Sequence, residues 1–145
     1  MPGVSFMNRR NQNRKAVAAV EFAIVAPVLL LLTFACIDYG RALGIRSIVC
    51  NAARSGAAYG ASHKYTEFSK ADWEQAVQNA VLDEFAALPV TETGPTEYAL
   101  SVTENASGFH RVRIDVGYRF NAIVPWPGLP SELDIRHHVE FNQFR

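Results

Sequence analysis

The chain has 145 residues with 14 Lys+Arg against 14 Asp+Glu, a size that fits one small domain plus an anchor better than two domains. This balance excludes the basic excess of a nucleic-acid-binding domain, so no nucleic acid is expected as a partner, and it gives no reason to expect an acidic substrate. The charge is unevenly spread, however: the first fifteen residues carry Arg9, Arg10, Arg14 and Lys15 and no acid.

That basic block directly precedes a run of 16 uncharged residues, Phe22–Ile37 (FAIVAPVLLLLTFACI). As a helix the run is about 24 Å long at about 1.5 Å per residue, short of the roughly 30 Å hydrocarbon core of a bilayer. Adding Ala16–Val20 gives a 22-residue segment that is long enough to span, with a single acid inside it, Glu21. Basic residues on the N-terminal flank orient such a span with its N-terminus in the cytoplasm. A cleaved secretory signal is the competing reading, because the LLLLTFAC stretch could serve as its apolar core. Against it, Asp38, Tyr39 and Arg41 follow at once, and the apolar run passes into a helical pattern without a break. The expected organisation is a basic leader over residues 1–16, polar and disordered to about Lys15, then a transmembrane helix over 17–61 and an exported domain over 62–145.

Helical periodicity is expected from about Ala16 to Ala61. Ile45, Ile48, Val49, Ala52, Gly56 and Tyr59 recur at three- and four-residue steps on one face, with Arg41, Ser47, Asn51 and Arg54 largely elsewhere. Pro27 removes one helical hydrogen bond and is a candidate kink, which membrane helices tolerate. Gly40, Gly44, Gly56 and Gly60 each lower helicity by about 1 kcal/mol relative to Ala. With the alanines around them they suit close approach of another helix, and Ala52, Gly56 and Tyr59 are the candidate packing residues. Fraying after Gly44 is the alternative, and Gly60 is a candidate stop. Cys36 and Cys50 lie fourteen residues apart in this helix, about 21 Å along its axis. A disulfide needs Cα atoms within about 7 Å, so no internal bridge is expected.

A second helix is expected from Ser69 to about Leu88, with Ser69 as its cap, Asp72 as a weak capping-box partner and Pro89 as the breaker. Its apolar face is Trp73, Val77, Ala80, Val81, Phe85 and Leu88. Beyond the Thr93-Gly94-Pro95 turn the period changes to two. Tyr98, Leu100 and Val102 alternate with Ala99, Ser101 and Thr103. After a turn at Asn105–Gly108, Val112, Ile114, Val116, Tyr118 and Phe120 alternate with Arg111, Arg113, Asp115, Gly117 and Arg119. Past a Pro-rich break, Leu133, Ile135, Val139 and Phe141 oppose Asp134, Arg136, His138 and Glu140, with His137 on the apolar side. Three strands with short connections predict an antiparallel meander, one face wet and the other covered by the two helices, hence an α+β fold.

No catalytic constellation is visible: the sequence has no GxSxG elbow, P-loop, GxGxxG or HExxH. His63, His110, His137 and His138 are scattered and form no ligand spacing with the cysteines, so neither a metal nor a cofactor is expected. Arg111, Arg113 and Arg119 form a basic stripe that Asp115 interrupts, as on a solvated sheet face. Asn105-Ala106-Ser107 matches a glycosylation acceptor, a pattern common enough by chance to mark only a turn.

Glu21 is the residue that calls for a role, since an acid within a membrane segment is costly. Around it stands Arg14-Lys15-Ala16-Val17-Ala18-Ala19-Val20-Glu21-Phe22: basic residues, a small residue, four apolar residues, an acid and an aromatic. This order resembles the processing site of type IV pilin-like proteins. AVEFAIVAPVLLLL, DYGRALGIRS and NAARSGAAYG extend the similarity over about residues 14–60 to the TadE-like minor pseudopilins of the tight-adherence (Flp, type IVc) pilus. Only the late PWPGLPSELDIRHHVEF continues it in the C-terminal part.

The resemblance implies cleavage by a prepilin peptidase between Ala16 and Val17, leaving Glu21 as the fifth mature residue beside Phe22. It implies residence in the bacterial inner membrane with the C-terminal domain periplasmic or extracellular, partnership with other pilins or pseudopilins, and a role in pilus assembly or initiation without catalysis. Ala16 departs from the family's usual Gly before the cut, which implies slower cleavage. Glu21 would gain from the dipole of a helix starting at Val17 and could pair with a neighbour's new amino group. The simpler alternative is an acid reaching back to the membrane interface. For the chain as a whole, the alternative is a membrane-tethered periplasmic binding module that is never processed, and a small exported enzyme is weaker still.

Overall fold

The computed structural model describes residues 6–86, 88, 94–104, 110–126, 128 and 130–143, with side chains described from Arg14 onward. Five elements follow in order: α1 Phe6–Ser62, α2 Lys70–Phe85, β1 Glu97–Glu104, β2 His110–Asn121 and β3 Glu132–Asn142. The fold is α+β, with the three strands in the order β1-β2-β3 and both pairings antiparallel. The turn expected at Asn105–Gly108 and the breaker Pro89 lie outside the described residues. The chain divides between Tyr39 and Gly40 into two compact units.

In the first unit α1 begins at Phe6 rather than near Ala16, which corrects the expectation of disorder for residues 6–15. From Phe6 to Lys15 the sequence has no Gly or Pro, and Arg, Gln, Met and Lys extend an already nucleated helix at little cost. The helix also continues unbroken through Pro27. Thr33 donates its hydroxyl to the Leu29 carbonyl (2.8 Å), which leaves no polar hydrogen of that side chain facing lipid. From Val17 to Ile37 the large apolar side chains are all exposed, and the helix is long and apolar enough to cross a membrane.

In the second unit α1 does not fray after Gly44. It runs on to Ser62 and turns Ile45, Val49, Ala52, Ala53, Gly56, Ala57, Gly60 and Ala61 inward. α2 adds Trp73, Val77, Val81 and Phe85, the face expected from its periodicity. β2 adds Val112, Ile114, Val116, Tyr118 and Phe120, all buried. The half-buried Tyr98, Leu100 and Val102 of β1 and Ile135 and Val139 of β3 flank this core. Leu133 and Phe141, at the ends of the edge strand β3, stay exposed because no neighbour covers a strand end on that side.

The glycines divide into two kinds. A Cβ on Gly56 would lie 2.5 Å from Val81 Cγ2 and 2.8 Å from Ile114 Cδ1. On Gly60 it would lie 2.9 Å from Val112 Cγ1 and 3.1 Å from Trp73 Cζ2. Gly60 is therefore a contact residue and not the helix stop. The stop is built from side chains instead. Gln143 Nε2 donates to the Gly60 and His63 carbonyls (3.2 and 2.8 Å), Trp73 Nε1 donates to the His63 carbonyl (2.8 Å), and Ser62 Oγ donates to the Tyr59 carbonyl. Gly40 and Gly44, by contrast, have nothing within 4 Å of such a position.

Two details of α2 differ from expectation. Ser69 sits at the N-cap but makes no side-chain bond into the helix. Its hydroxyl accepts from the Thr66 backbone N–H (2.9 Å), so the preceding turn takes the group that a capping box needs. The helix ends at Phe85, short of Leu88, and the restriction on the residue before a proline keeps Leu88 itself out of it.

On the wet face of the sheet the charges interlock. Arg113 forks onto Asp115 (2.8 Å) and reaches Glu140 (3.2 Å), its partner across the β2–β3 pairing. Arg119 lies 3.5 Å from Asp134, and Arg136 lies 3.2 Å from Glu97. The last pair joins the two edge strands across Gly117, whose Cβ would stand 3.1 Å from Glu97 Cβ. The Arg113 guanidinium, by hydrogen bond and by charge, holds the Asp115 carboxyl below the usual carboxylate range.

Gly44→Ala should raise stability by up to about 1 kcal/mol, the helix-propensity difference. Gly56→Ala should lower it, because overpacking costs about 1–3 kcal/mol and outweighs that gain. Urea unfolding of the purified chain separates the two, and a gain at Gly56 would contradict the tight seam. Ile114→Ala should cost about 2–5 kcal/mol, whereas Arg113→Ala removes exposed pairs of about 0–1 kcal/mol each. The Asp115 pKa is lower folded than unfolded, so its contribution is present above the ordinary carboxylate range and lost as pH falls through the folded value. Arg113→Ala should bring that carboxyl back toward its ordinary value in an NMR titration.

Candidate functional site

The residues singled out at the front of the chain lie on one exposed stretch of α1. Ala16, Val17, Glu21 and Phe22 are all exposed, Phe22 at 69%. Val17 and Glu21, four positions apart, share a side of the helix one turn from each other. Because α1 starts at Phe6, the Ala16–Val17 bond lies inside regular helix. A peptidase acting on that bond would need it extended, and so would have to unwind residues whose hydrogen bonds are intrahelical. Glu21 lies fifteen residues beyond the helix start, and the first turn of α1 holds no acid. The dipole acts only over the first turn, so in the uncut chain it gives Glu21 nothing.

The expected packing residues fall in the second unit, and their partners belong to the same chain. Ala52 and Gly56 are buried, Gly56 directly beneath Val81 of α2 and Ile114 of β2. The close approach inferred from small residues is thus met by α2 and the sheet. Tyr59 is half-buried and stacks on His63 (ring centroids 4.1 Å apart, 17° between planes), at the margin of that face. Ala53, Ala57 and Ala61, buried in the core, escape a reading by hydrophobicity because alanine gives little signal of its own. Cys36 is exposed, Cys50 partly buried, and both are free.

Among the described residues no group of three His, Cys, Asp or Glu could hold a metal ion. Two clefts open on the second unit. One lies between α2 and β1, lined by Glu74, Gln75, Gln78, Tyr98 and Leu100. There the Tyr98 hydroxyl has no hydrogen-bond partner, and burial, with the Glu74 carboxylate adding to it, pushes the phenol up to about 12. A phenol so hard to ionise stays protonated at neutral pH. The other cleft lies on the wet face by Glu97, Asp115, Arg136 and His138, where the ion pairs already occupy the charges. His137, expected on the apolar side, is half-buried opposite Val116.

Two exposed apolar positions carry no signal in the sequence. Phe68, between α1 and α2, is 99% exposed, and Ile123, just after β2, is 57% exposed. Phe68 stands alone among polar neighbours, and Ile123 lies in the short Ala122–Val124 run before Pro125, so periodicity assigns neither to a face.

No curated protein and no solved structure matches the chain. A family model described as TadE-like protein matches residues 16–58. The matched stretch of α1, which holds the apolar span and most of the core-forming face, is thus similar to the TadE-like family that its residues resemble.

Proposed function

We propose that this chain is a minor pseudopilin that acts in assembly or initiation of a tight-adherence pilus. The TadE-like match suggests a role in that pilus system, and the long apolar helix near the N-terminus suggests a single-pass membrane protein. One observation carries the finer reading. A single unbroken helix holds the processing motif, an apolar stretch exposed on all sides, and the small-residue face on which the second unit is built. An exposed apolar helix needs lipid or other helices around it, and a pilin-like subunit meets both in turn. The chain then works by packing and not by catalysis. Prepilin peptidase trims it on the cytoplasmic side, α1 joins other pilins or pseudopilins, and the exported α+β unit presents a contact surface. Glu21 is the register residue, pairing with the amino group of Val17 on a neighbour.

In cells that carry the matching prepilin peptidase, intact mass should place the mature N-terminus at Val17, and cells without it should retain full-length protein. Ala16→Gly should speed the cut, and a bulky residue at 16 should stop it. Glu21→Ala should insert at least as well as the wild type but lower the number of pili. A phosphatase fused after Arg145 should be active outside the cytoplasm. Wild-type piliation in Glu21→Ala, with no Val17 N-terminus in any strain, would return the chain to the unprocessed, membrane-tethered module.

A further inference from the structure

β1 lies at one edge of the sheet and β3 at the other. Three backbone bonds fix which groups each edge offers. Gln143 N–H donates to the His110 carbonyl (2.7 Å) and Ala122 N–H to the Ser131 carbonyl (3.0 Å), so the even-numbered residues of β2 bond toward β3. Thr96 N–H donates to the Gly117 carbonyl (2.8 Å), so the odd-numbered ones bond toward β1. Along β1 the bonded residues are then Glu97, Ala99, Ser101 and Thr103. The backbone N–H and C=O groups of Tyr98, Leu100 and Val102 point to the free edge, where no described strand pairs with them.

The two edges are finished differently. β3 carries Asp134, Arg136, His138 and Glu140 on the wet face, and charged side chains keep an edge from accepting a further strand. Between its terminal glutamates β1 has only Ala99, Ser101 and Thr103 on that face, with no lysine and no proline. Its other face borders the cleft of about 460 Å³ that Glu74, Gln75 and Gln78 of α2 line with Tyr98 and Leu100. The buried Tyr98 hydroxyl has no hydrogen-bond partner among the described residues. A strand added beside β1 would place alternate side chains in this cleft.

Charge selects the occupant. α2 and β1 together hold six acids and one base, Lys70. Lys70 lies 3.8 Å from Glu74, and Arg136 of β3 lies 3.2 Å from Glu97, which leaves an acidic excess of four. A second copy would bring the same acidic strand alongside, like charge against like. A basic strand meets the opposite sign: the stem of a Lys or Arg covers Leu100 while its head reaches Glu74 and the Tyr98 oxygen.

We propose that the free edge of β1, with the cleft against α2, takes an extended segment of another exported protein that carries Lys or Arg at alternate positions, added antiparallel as a fourth strand. This rests on the reading of the second unit as a contact surface, and gives that surface its strand and the chemistry of its partner.

The probe is a fluorescent peptide of alternating Thr and Lys, titrated into the full chain in uncharged detergent and read by anisotropy. It should bind, and its Thr–Glu counterpart should not. Methyl groups on the lysine backbone nitrogens fall on the edge facing β1 and should weaken binding roughly tenfold. On the threonine nitrogens they face away and should change it less than about twofold. Glu74→Lys, at an exposed side chain, should weaken binding several-fold. Leu100→Pro places its missing N–H on the free edge, removes no bond to β2, and should abolish binding while urea unfolding stays cooperative; the methylated pair needs no variant. Equal binding of both methylated peptides would reduce the contact to charge attraction and overturn strand addition, as would no binding at all. A dimeric chain that Leu100→Pro makes monomeric, with no peptide bound, would give the edge to a second copy instead. None of these readouts depends on a cut before Val17 or on pili, so processing and strand addition can fail separately.

Discussion

Everything in the second unit depends on how closely α2 and β2 approach α1 at Gly56 and Gly60. With side chains as small as hydrogen at these points, the Val81, Ile114 and Val112 methyls come to where a Cβ would otherwise be. One helix face can then contact another helix and a sheet at once. Glycine lowers helicity by about 1 kcal/mol at each position, a loss that close-packed contact on both sides offsets. The neighbouring Ala52, Ala53, Ala57 and Ala61 keep the seam thin along its length. The aromatic residues of the core, Trp73, Phe85, Tyr118 and Phe120, all come from the covering elements, while α1 adds Ile45 and Val49 toward the start of the seam.

The sheet answers this with two unlike faces. On the inner face β2, between its neighbours, buries five residues in alternation, while edge strands β1 and β3 are only half covered. On the outer face the stability of each ion pair is small because the groups are exposed. Their arrangement has a different consequence. Arg113 with Glu140, Arg119 with Asp134 and Glu97 with Arg136 each match a cross-strand row. A one-residue slip would place apolar residues opposite them, so the rows help fix the register that the buried alternation already demands.

The strands and α2 were legible in the sequence because their periods are strong: Val112 to Phe120 alternates without exception, and Trp73, Val77, Val81 and Phe85 step by four. The membrane segment was legible from composition alone. What periodicity could not supply was the partner of the small-residue face. Gly56 and Gly60 announce close approach, but only the fold shows that α2 and β2 are what approaches. Gly60 also read as a helix stop, since nothing local reveals that Gln143, eighty-three positions on, bonds its carbonyl. Ser69 misled for a similar reason: Thr66 competes for the hydroxyl that a capping box would use. The early start of α1 was missed because polar composition was read as disorder, although a helix needs no apolar face to extend from one already formed.

That early start changes the physics of Glu21. In the chain as synthesised, Glu21 lies well inside α1, where backbone partial charges cancel between successive peptides and an acid in apolar surroundings is only a cost. A cut before Val17 moves the helix start to within one turn of it. Four backbone N–H groups lose their partners at that point, and an α-amino group appears that is positively charged at neutral pH. The same carboxylate would then face unsatisfied donors and a cation, on its own chain or on a neighbour. Processing on this view does more than remove residues 1–16. On that proposal it would convert an acid that opposes membrane residence into one that favours assembly. The barrier to such a cut would be the helix itself, because Ala16–Val17 lies in a hydrogen-bonded turn of α1. Ala in place of Gly at position 16 strengthens that turn by about 1 kcal/mol, which would slow the proposed cut.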